Sequence, residues 1–190
     1  MPVSPRALFL DRDGVINVDR GYVCSPEQFE LVDGITDLCR HAVSLGYLLI
    51  VATNQAGIGR GYYSEADFLA LTDWMCDAFR ERGAPIAKVY YCPFHPEFGV
   101  GEYRRESDCR KPAPGMILQA AREFDIDLRR SVLVGDKESD IMAGVAAGVG
   151  CNVLYWPKSG RAQPPAATLA SQTATHLADV VQLLGDSKGT

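Results

Sequence analysis

Five short apolar runs, separated by stretches with helical spacing, most tightly limit what this chain can fold into. They are Ala7-Leu8-Phe9-Leu10, Tyr47 to Ala52, Val89-Tyr90-Tyr91, Val132-Leu133-Val134 and Val153-Leu154-Tyr155. Runs without polar alternation suit strands covered on both faces, as in a parallel sheet. Between them lie segments that predict helices. Gly34 to Leu45 puts Ile35, Leu38, Cys39, Ala42, Val43 and Leu45 near one face, and Gly46 stops it. Ser64 can cap Glu65 to Arg82, with Asp67 three residues on. Pro114 can start the segment up to Phe124. Asp140 to Ala147, closed by Gly148, and His176 to Leu184 are two more. Strand–helix alternation of this kind predicts an α/β fold: a Rossmann-like open parallel sheet with helices on both faces.

A chain of 190 residues suits one domain, placed at 1–186, with 187–190 as a frayed tail. The net charge of −5 argues against a general nucleic-acid binder, which carries a basic excess. No apolar stretch approaches the roughly 20 residues that span a bilayer, and no signal-peptide pattern opens the chain. A cytoplasmic protein without nucleic-acid or membrane partners is expected, and a monomer. The six cysteines are scattered, which reads as free thiols with metal ligation to be checked. Two connections, Arg12 to about Asp33 and Cys92 to Ala113, are long for an α/β fold, and such loops are often functional. Pro157 to Thr175 reads as a loose connection.

Ligands of open α/β sheets bind at the carboxyl ends of the strands. The first run ends in Asp11-Arg12-Asp13-Gly14 and the second in Thr53-Asn54-Gln55. Arg110-Lys111-Pro112 precedes the fourth run, which itself ends in Gly135-Asp136-Lys137-Glu138-Ser139-Asp140. These groups suit one phosphate and one hard cation. A phosphate monoester repels a nucleophile; Mg²⁺ on carboxylates such as Asp11 and Asp136 offsets that charge. A carboxylate can attack phosphorus and divide hydrolysis into two steps. Asp13 can protonate the leaving oxygen and then deprotonate the attacking water. Lys111, the Thr53 hydroxyl and the N–H groups after it can hold the phosphoryl oxygens. Each piece alone has a plainer reading. Asp-x-Asp can be a solvated pair, Gly-Asp-x-x-x-Asp a helix cap, and Gly57, Gly59 and Gly61 only a turn. Their arrival in order, at the ligand-binding end of one sheet, favours the chemical reading.

Asp11-x-Asp13-Gly14, Thr53, Lys111 and Gly135-Asp136-x-x-x-Asp140 resemble the four motifs of the haloacid dehalogenase-like phosphatases. Phe9-Leu-Asp-Arg-Asp-Gly-Val-Ile-Asn17, Arg20-Gly-Tyr-Val23, the stretch from Ala52 to Gly61 and Cys109-Arg-Lys-Pro112 resemble, more narrowly, the bacterial D-glycero-D-manno-heptose 1,7-bisphosphate 7-phosphatases of lipopolysaccharide core synthesis. The resemblance covers about residues 6 to 156. It implies a small phosphorylated sugar as substrate, Asp11 as nucleophile, Asp13 as acid/base, and Thr53 and Lys111 as phosphoryl stabilisers. It also implies Mg²⁺ on Asp11, Asp136 and the Asp13 carbonyl. Lys137 would touch that site through its backbone, and Asp140 would support it without ligating. Substrate contacts would come from Asp19, Arg20, Gly21, Tyr22, Thr53, Asn54, Gln55, Ala56, Arg110 and Lys111. No large cap domain fits between the motifs, so the cleft is expected to be open.

Relatives with the second long loop often bind a structural zinc through Cys-x-His and Cys-x-Cys. Here the loop reads Cys92-Pro-Phe94-His95 and Ser107-Asp-Cys109, which puts Phe94 and Ser107 where ligands are expected. A closed zinc site needs four good ligands. An ordered loop without zinc is therefore expected. Two other functions compete with heptose bisphosphate hydrolysis. A histidinol-phosphate phosphatase would want acids around a cationic substrate, whereas Arg20 and Arg110 favour a second phosphate. A non-catalytic phosphosugar-binding protein has no use for Asp11, Asp13, Lys111 and Asp136 together.

Overall fold

The computed structural model describes residues 4–157 and 167–185. Six strands, β1 (Arg6–Leu10), β2 (Tyr47–Asn54), β3 (Ile86–Cys92), β4 (Val132–Gly135), β5 (Cys151–Tyr155) and β6 (Gln172–Ala174), form one sheet in the order β3-β2-β1-β4-β5-β6. Every pairing is parallel. The helices are α1 (Ile35–Ser44), the single turn α2 (Ala56–Gly59), α3 (Glu65–Glu81), α4 (Gly115–Phe124), α5 (Glu138–Ala147) and α6 (Leu177–Gly185). None of them is long and apolar enough to cross a membrane.

Side-chain alternation along the strands divides the interior in two. Leu8 and Leu10 face one layer with Leu49, Val51, Val132 and Val134; α1, α3 and α6 cover it through Leu38, Leu71, Phe79 and Val180. Ala7 and Phe9 face the other with Ile50, Leu133 and Leu154, covered by α4 and α5 through Met116, Ile117 and Ile141. Phe9 is fully buried. Truncating a ring so placed costs about 3–5 kcal/mol. Helix starts follow the expected chemistry: Ser64 accepts from the Asp67 N–H while Asp67 bonds back to the Ser64 N–H, a complete capping box.

One expectation is corrected. Pro157 to Thr175 is not wholly a loose connection, because β6 pairs with β5 inside it; residues 158–166 and the expected tail at 187–190 lie outside the described residues. Gly57 and Gly59 belong to the helical turn α2. The two long loops contain the short 3-10 turns Pro26–Gln28 and Gly101–Tyr103 and, in the first, isolated bridges from Asn17 to Asp13 and Leu31, so no cap domain is built among the described residues.

Candidate active site

The strand order reverses direction at β1 and β4, and a crevice opens where their carboxyl ends diverge. Asp11 follows β1 and Asp136 follows β4. The Asp11 N–H donates to Val134 O at 3.1 Å, so strand pairing itself fixes the two acids side by side. Oxygens of Asp11, Asp136 and Asp140 all lie within 4.8 Å of one another. Three buried carboxylates this close repel each other strongly unless cations intervene. Gly14 (φ 95°) makes room for them, since a Cβ there would meet Asp136 Oδ2 at 2.4 Å. Hard oxygen donors around so tight a crevice fit a hard divalent cation.

The buried cation here is Lys111, 5% exposed, while the more exposed Lys137 Nζ lies 3.9 Å from Asp136 Oδ1. Lys111 Nζ lies 2.9 Å from Asp11 Oδ1 and 2.7 Å from Asp140 Oδ1, and donates to Ala52 O at 2.7 Å. Burial opposes its charge, but Asp11 and Asp140 outweigh burial and hold its pKa above the ordinary lysine value. Asn54 pins this lysine's backbone from both sides: Oδ1 accepts from Lys111 N–H and Nδ2 donates to Lys111 O, each at 3.0 Å. Asp140 also accepts from the Lys137 N–H at 3.0 Å, which secures the start of α5.

Asp13 is held by three side chains. Arg12 Nη2 reaches its two oxygens at 2.9 and 3.0 Å, Asn17 Nδ2 donates to Oδ1 at 3.0 Å, and Gln55 Nε2 donates to Oδ2 at 2.9 Å. Arg12 is only 1% exposed; it also donates to Val23 O at 2.8 Å and lies over the Phe68 ring. Gln55 Nε2 gives its second bond to Thr53 Oγ1 at 2.9 Å, and Gln55 Oε1 accepts from Tyr63 at 2.5 Å. Arg12, Asn17 and Tyr63 escaped the sequence reading. One signal was available for Arg12: alternation past β1 turns it away from the side of Asp11, toward the interior.

These residues surround a cavity of about 330 Å³ lined by Asp11, Asp13, Asn54, Gln55, Lys111 and Asp140, with Asp19, Gly21, Tyr22, Ala56 and Lys137 toward its rim. Lys137 Nζ lies 3.4 Å from Asp19 Oδ2. Tyr22 adopts φ 54°, packs against the Tyr62 ring at a tilt of 51° and accepts from Arg60 Nη1 at 2.8 Å. The structure does not bring Arg20 or Arg110 into this lining. Arg20 is paired with Glu30 beside an adjoining depression, and Arg110 Nη1 donates to Phe94 O at 3.1 Å. Asn54 and Gln55, expected at the substrate, line the cavity with side chains committed to Lys111, Asp13, Thr53 and Tyr63.

In the second long loop, Cys92 is fully buried. Its thiol meets that of Cys109, and this contact, with burial, raises the Cys92 pKa while the same contact lowers that of Cys109. Ser107 Oγ lies 3.0 Å from the Cys109 sulfur. His95 Nδ1 accepts from the N–H groups of Glu97 and Phe98, and Phe94 lies under the Arg105 guanidinium at 3.8 Å. Among the described residues, Cys92, His95 and Cys109 do not form a three-ligand group.

Comparison with known proteins gives this geometry a context. A family model described as "HAD-hyrolase-like" matches residues 108–184, which carry Lys111, Asp136 and Asp140. The chain is 57% identical to the D-glycero-alpha-D-manno-heptose-1,7-bisphosphate 7-phosphatase of Burkholderia mallei, covering 94% of this chain and 93% of that one. It is 45% identical to the D-glycero-beta-D-manno-heptose-1,7-bisphosphate 7-phosphatase of Escherichia coli K12, covering 97% and 96%. The solved D,D-heptose 1,7-bisphosphate phosphatase of B. bronchiseptica, complexed with magnesium and phosphate, superposes with a TM-score of 0.79 at 31% identity, covering 96% of this chain and 99% of that one. Likeness of this degree over nearly the whole length of both partners settles the placement: the chain belongs to the heptose 1,7-bisphosphate 7-phosphatase family of HAD-like hydrolases.

Proposed function

We propose that this chain is a phosphatase that removes the 7-phosphate of D-glycero-D-manno-heptose 1,7-bisphosphate and leaves heptose 1-phosphate, by way of an aspartyl-phosphate on Asp11. The observation that carries the reading is Asp11 itself: a carboxylate on the cavity floor, paired through Oδ1 with a buried lysine and followed two residues on by a firmly held second acid. The contacts of Asp11 with Lys111 and with the Arg12 N–H, the latter at 2.8 Å, both fall on Oδ1. Oδ2 is then the attacking oxygen. It forms a bond to phosphorus as the bond from phosphorus to the C7 oxygen breaks, and Asp13 gives that oxygen its proton. In the second step Asp13 takes a proton from water, the water oxygen bonds to phosphorus, and the Asp11–phosphorus bond breaks to release inorganic phosphate. Lys111 offsets charge on the phosphoryl oxygens, and the Thr53 hydroxyl donates to one of them.

Asp11, Asp136 and the Asp13 carbonyl, with the Lys137 backbone beside them, would hold Mg²⁺, which supplies charge neutralisation at the phosphoryl group. Asp140 supports this arrangement by its pairing with Lys111. The 7-phosphate sits on a primary carbon, slim enough to reach the cavity floor, while the ring and 1-phosphate stay at the rim near Gly21 and Tyr22, with Arg110 beyond. The discriminating experiment compares kcat/KM for both anomers of the heptose bisphosphate with that for histidinol phosphate. The expected result is a large preference for the bisphosphate; an equal or higher value for histidinol phosphate would reject this substrate.

A further inference from the structure

Tyr63 directly precedes Ser64, which caps α3. Its ring packs with Ile58 and Phe68 in a small cluster of its own. An apolar residue just before the cap, packed on the fourth helical residue, fixes the angle at which the chain enters the helix. That duty needs a ring and no hydroxyl. The hydroxyl instead lies 2.5 Å from Gln55 Oε1. The direction of this bond follows from the other end of the amide. Asp13 Oδ2 accepts from Arg12 Nη2 at 3.0 Å and from Gln55 Nε2 at 2.9 Å. Nitrogen therefore faces Asp13, oxygen faces Tyr63, and Tyr63 donates. The second amide hydrogen goes to Thr53 Oγ1, which leaves the Thr53 proton for another partner. One hydroxyl thus sets the rotation of one amide, and that amide holds two residues of the site. Gly57 permits the approach, because a Cβ there would come within 2.3 Å of the Tyr63 ring. Burial pushes the Tyr63 phenol up to about 12, with Arg12 opposing, so the donor keeps its proton near neutral pH.

We infer that Tyr63 is a positioning residue for phosphoryl transfer, acting through Gln55 to hold Asp13 at the leaving oxygen and Thr53 at the phosphoryl group. This rests on the roles proposed above for Asp13 and Thr53. Without the hydroxyl, a buried amide oxygen loses its donor, and the amide is held only through its nitrogen, by Asp13 and Thr53. The Gln55 contact that fixes Asp13 then loosens.

The test is Tyr63→Phe, which keeps the ring and its packing. The readout is kcat/KM, which covers the steps up to phosphoenzyme formation, for phenyl phosphate and p-nitrophenyl phosphate. Phenolate needs a proton from Asp13 as it leaves; nitrophenolate needs little help. Asp13→Asn sets the scale and should lose far more on phenyl phosphate. Tyr63→Phe should show the same selectivity at smaller size, roughly ten- to thirtyfold on phenyl phosphate, a fraction of what a placed acid supplies, and only a few-fold on p-nitrophenyl phosphate. Gly57→Ala, which pushes the ring aside, should reproduce that selectivity. Equal losses on both substrates for Tyr63→Phe, or no loss, would overturn the inference. Equal losses for Asp13→Asn would instead remove Asp13 as the acid, a failure visible in a different variant.

Discussion

The floor and the rim of the cavity are built in different ways. On the floor, Asp11, Lys111, Asp136 and Asp140 are at most 7% exposed. They sit at strand ends or beside them, and Lys111 ties Asp11 to Asp140 at 2.9 and 2.7 Å. At the rim, Tyr22 is 46% exposed and bound to Arg60, while Arg20 is paired with Glu30 on the surface. Sheet pairing places the floor, and the floor's chemistry would serve any phosphate monoester. Loops place the rim, and the rim meets whatever the phosphate is attached to. Rate and selectivity should therefore respond to different substitutions.

The largest effect should come from Lys111→Ala. It leaves the buried Asp11 and Asp140 charges without their partner, a change that typically costs about 3–5 kcal/mol. Urea denaturation should show that loss, partly recovered with added Mg²⁺, and activity on every substrate should fall at least about a hundredfold. A stable, active Lys111→Ala protein would show that the floor does not depend on this pairing. Metal removal strikes the floor as well: EDTA should abolish turnover of aryl phosphate and bisphosphate alike, and Mg²⁺ should restore both. Loss on only one substrate would move the metal to the rim.

The rim should behave selectively. Arg110 now donates to Phe94 O; if it turns to the remote phosphate as proposed above, Arg110→Ala removes a charge-assisted contact of a kind worth about 1.5–3 kcal/mol. Its kcat/KM for the bisphosphate should drop roughly ten- to a hundredfold, since 1.4 kcal/mol is about tenfold, with little change on an aryl phosphate. Arg20→Ala should cost less, because its exposed pair with Glu30 already occupies it. Equal losses on both substrates would place Arg110 on the floor. The smallest effect expected is that of a zinc chelator on the loop of Cys92 and Cys109. Elemental analysis should find well under one zinc per chain, and chelation should leave the melting temperature unchanged. A full equivalent of zinc would show that these cysteines had found further ligands.

Asp11 and Asp136 were legible in the sequence because each directly follows a strand, whereas Lys111, in the second long loop, and Asp140, in the first turn of α5, were legible only as parts of motifs. The strand limits themselves were read too short. β2 continues through Thr53 and Asn54, where polar side chains interrupt the apolar run but backbone pairing with Tyr91 and Cys92 persists. β3 begins at Ile86 because it lies at the sheet edge, where Ala87 and Lys88 are exposed and leave no apolar signature. β6 was missed for a similar reason: Gln172 and Thr173 face solvent, and only Ala174 is buried. Buried polar residues were the hardest to see. Arg12 reads as a surface charge until the loop after it folds back and supplies Val23 O. Tyr63 reads as a packing ring until Gln55, eight residues earlier, turns its amide toward it.

The most direct test of the central claim follows the heptose bisphosphate by phosphorus NMR with the wild-type protein and with Asp11→Asn. The variant amide keeps the size of the side chain but cannot form the acyl-phosphate. The account predicts that the wild-type protein releases one equivalent of inorganic phosphate from carbon 7 and leaves the 1-phosphate resonance intact, while a folded Asp11→Asn protein releases none above background. Near-normal turnover by Asp11→Asn, or loss of the 1-phosphate resonance in the wild-type reaction, would contradict it.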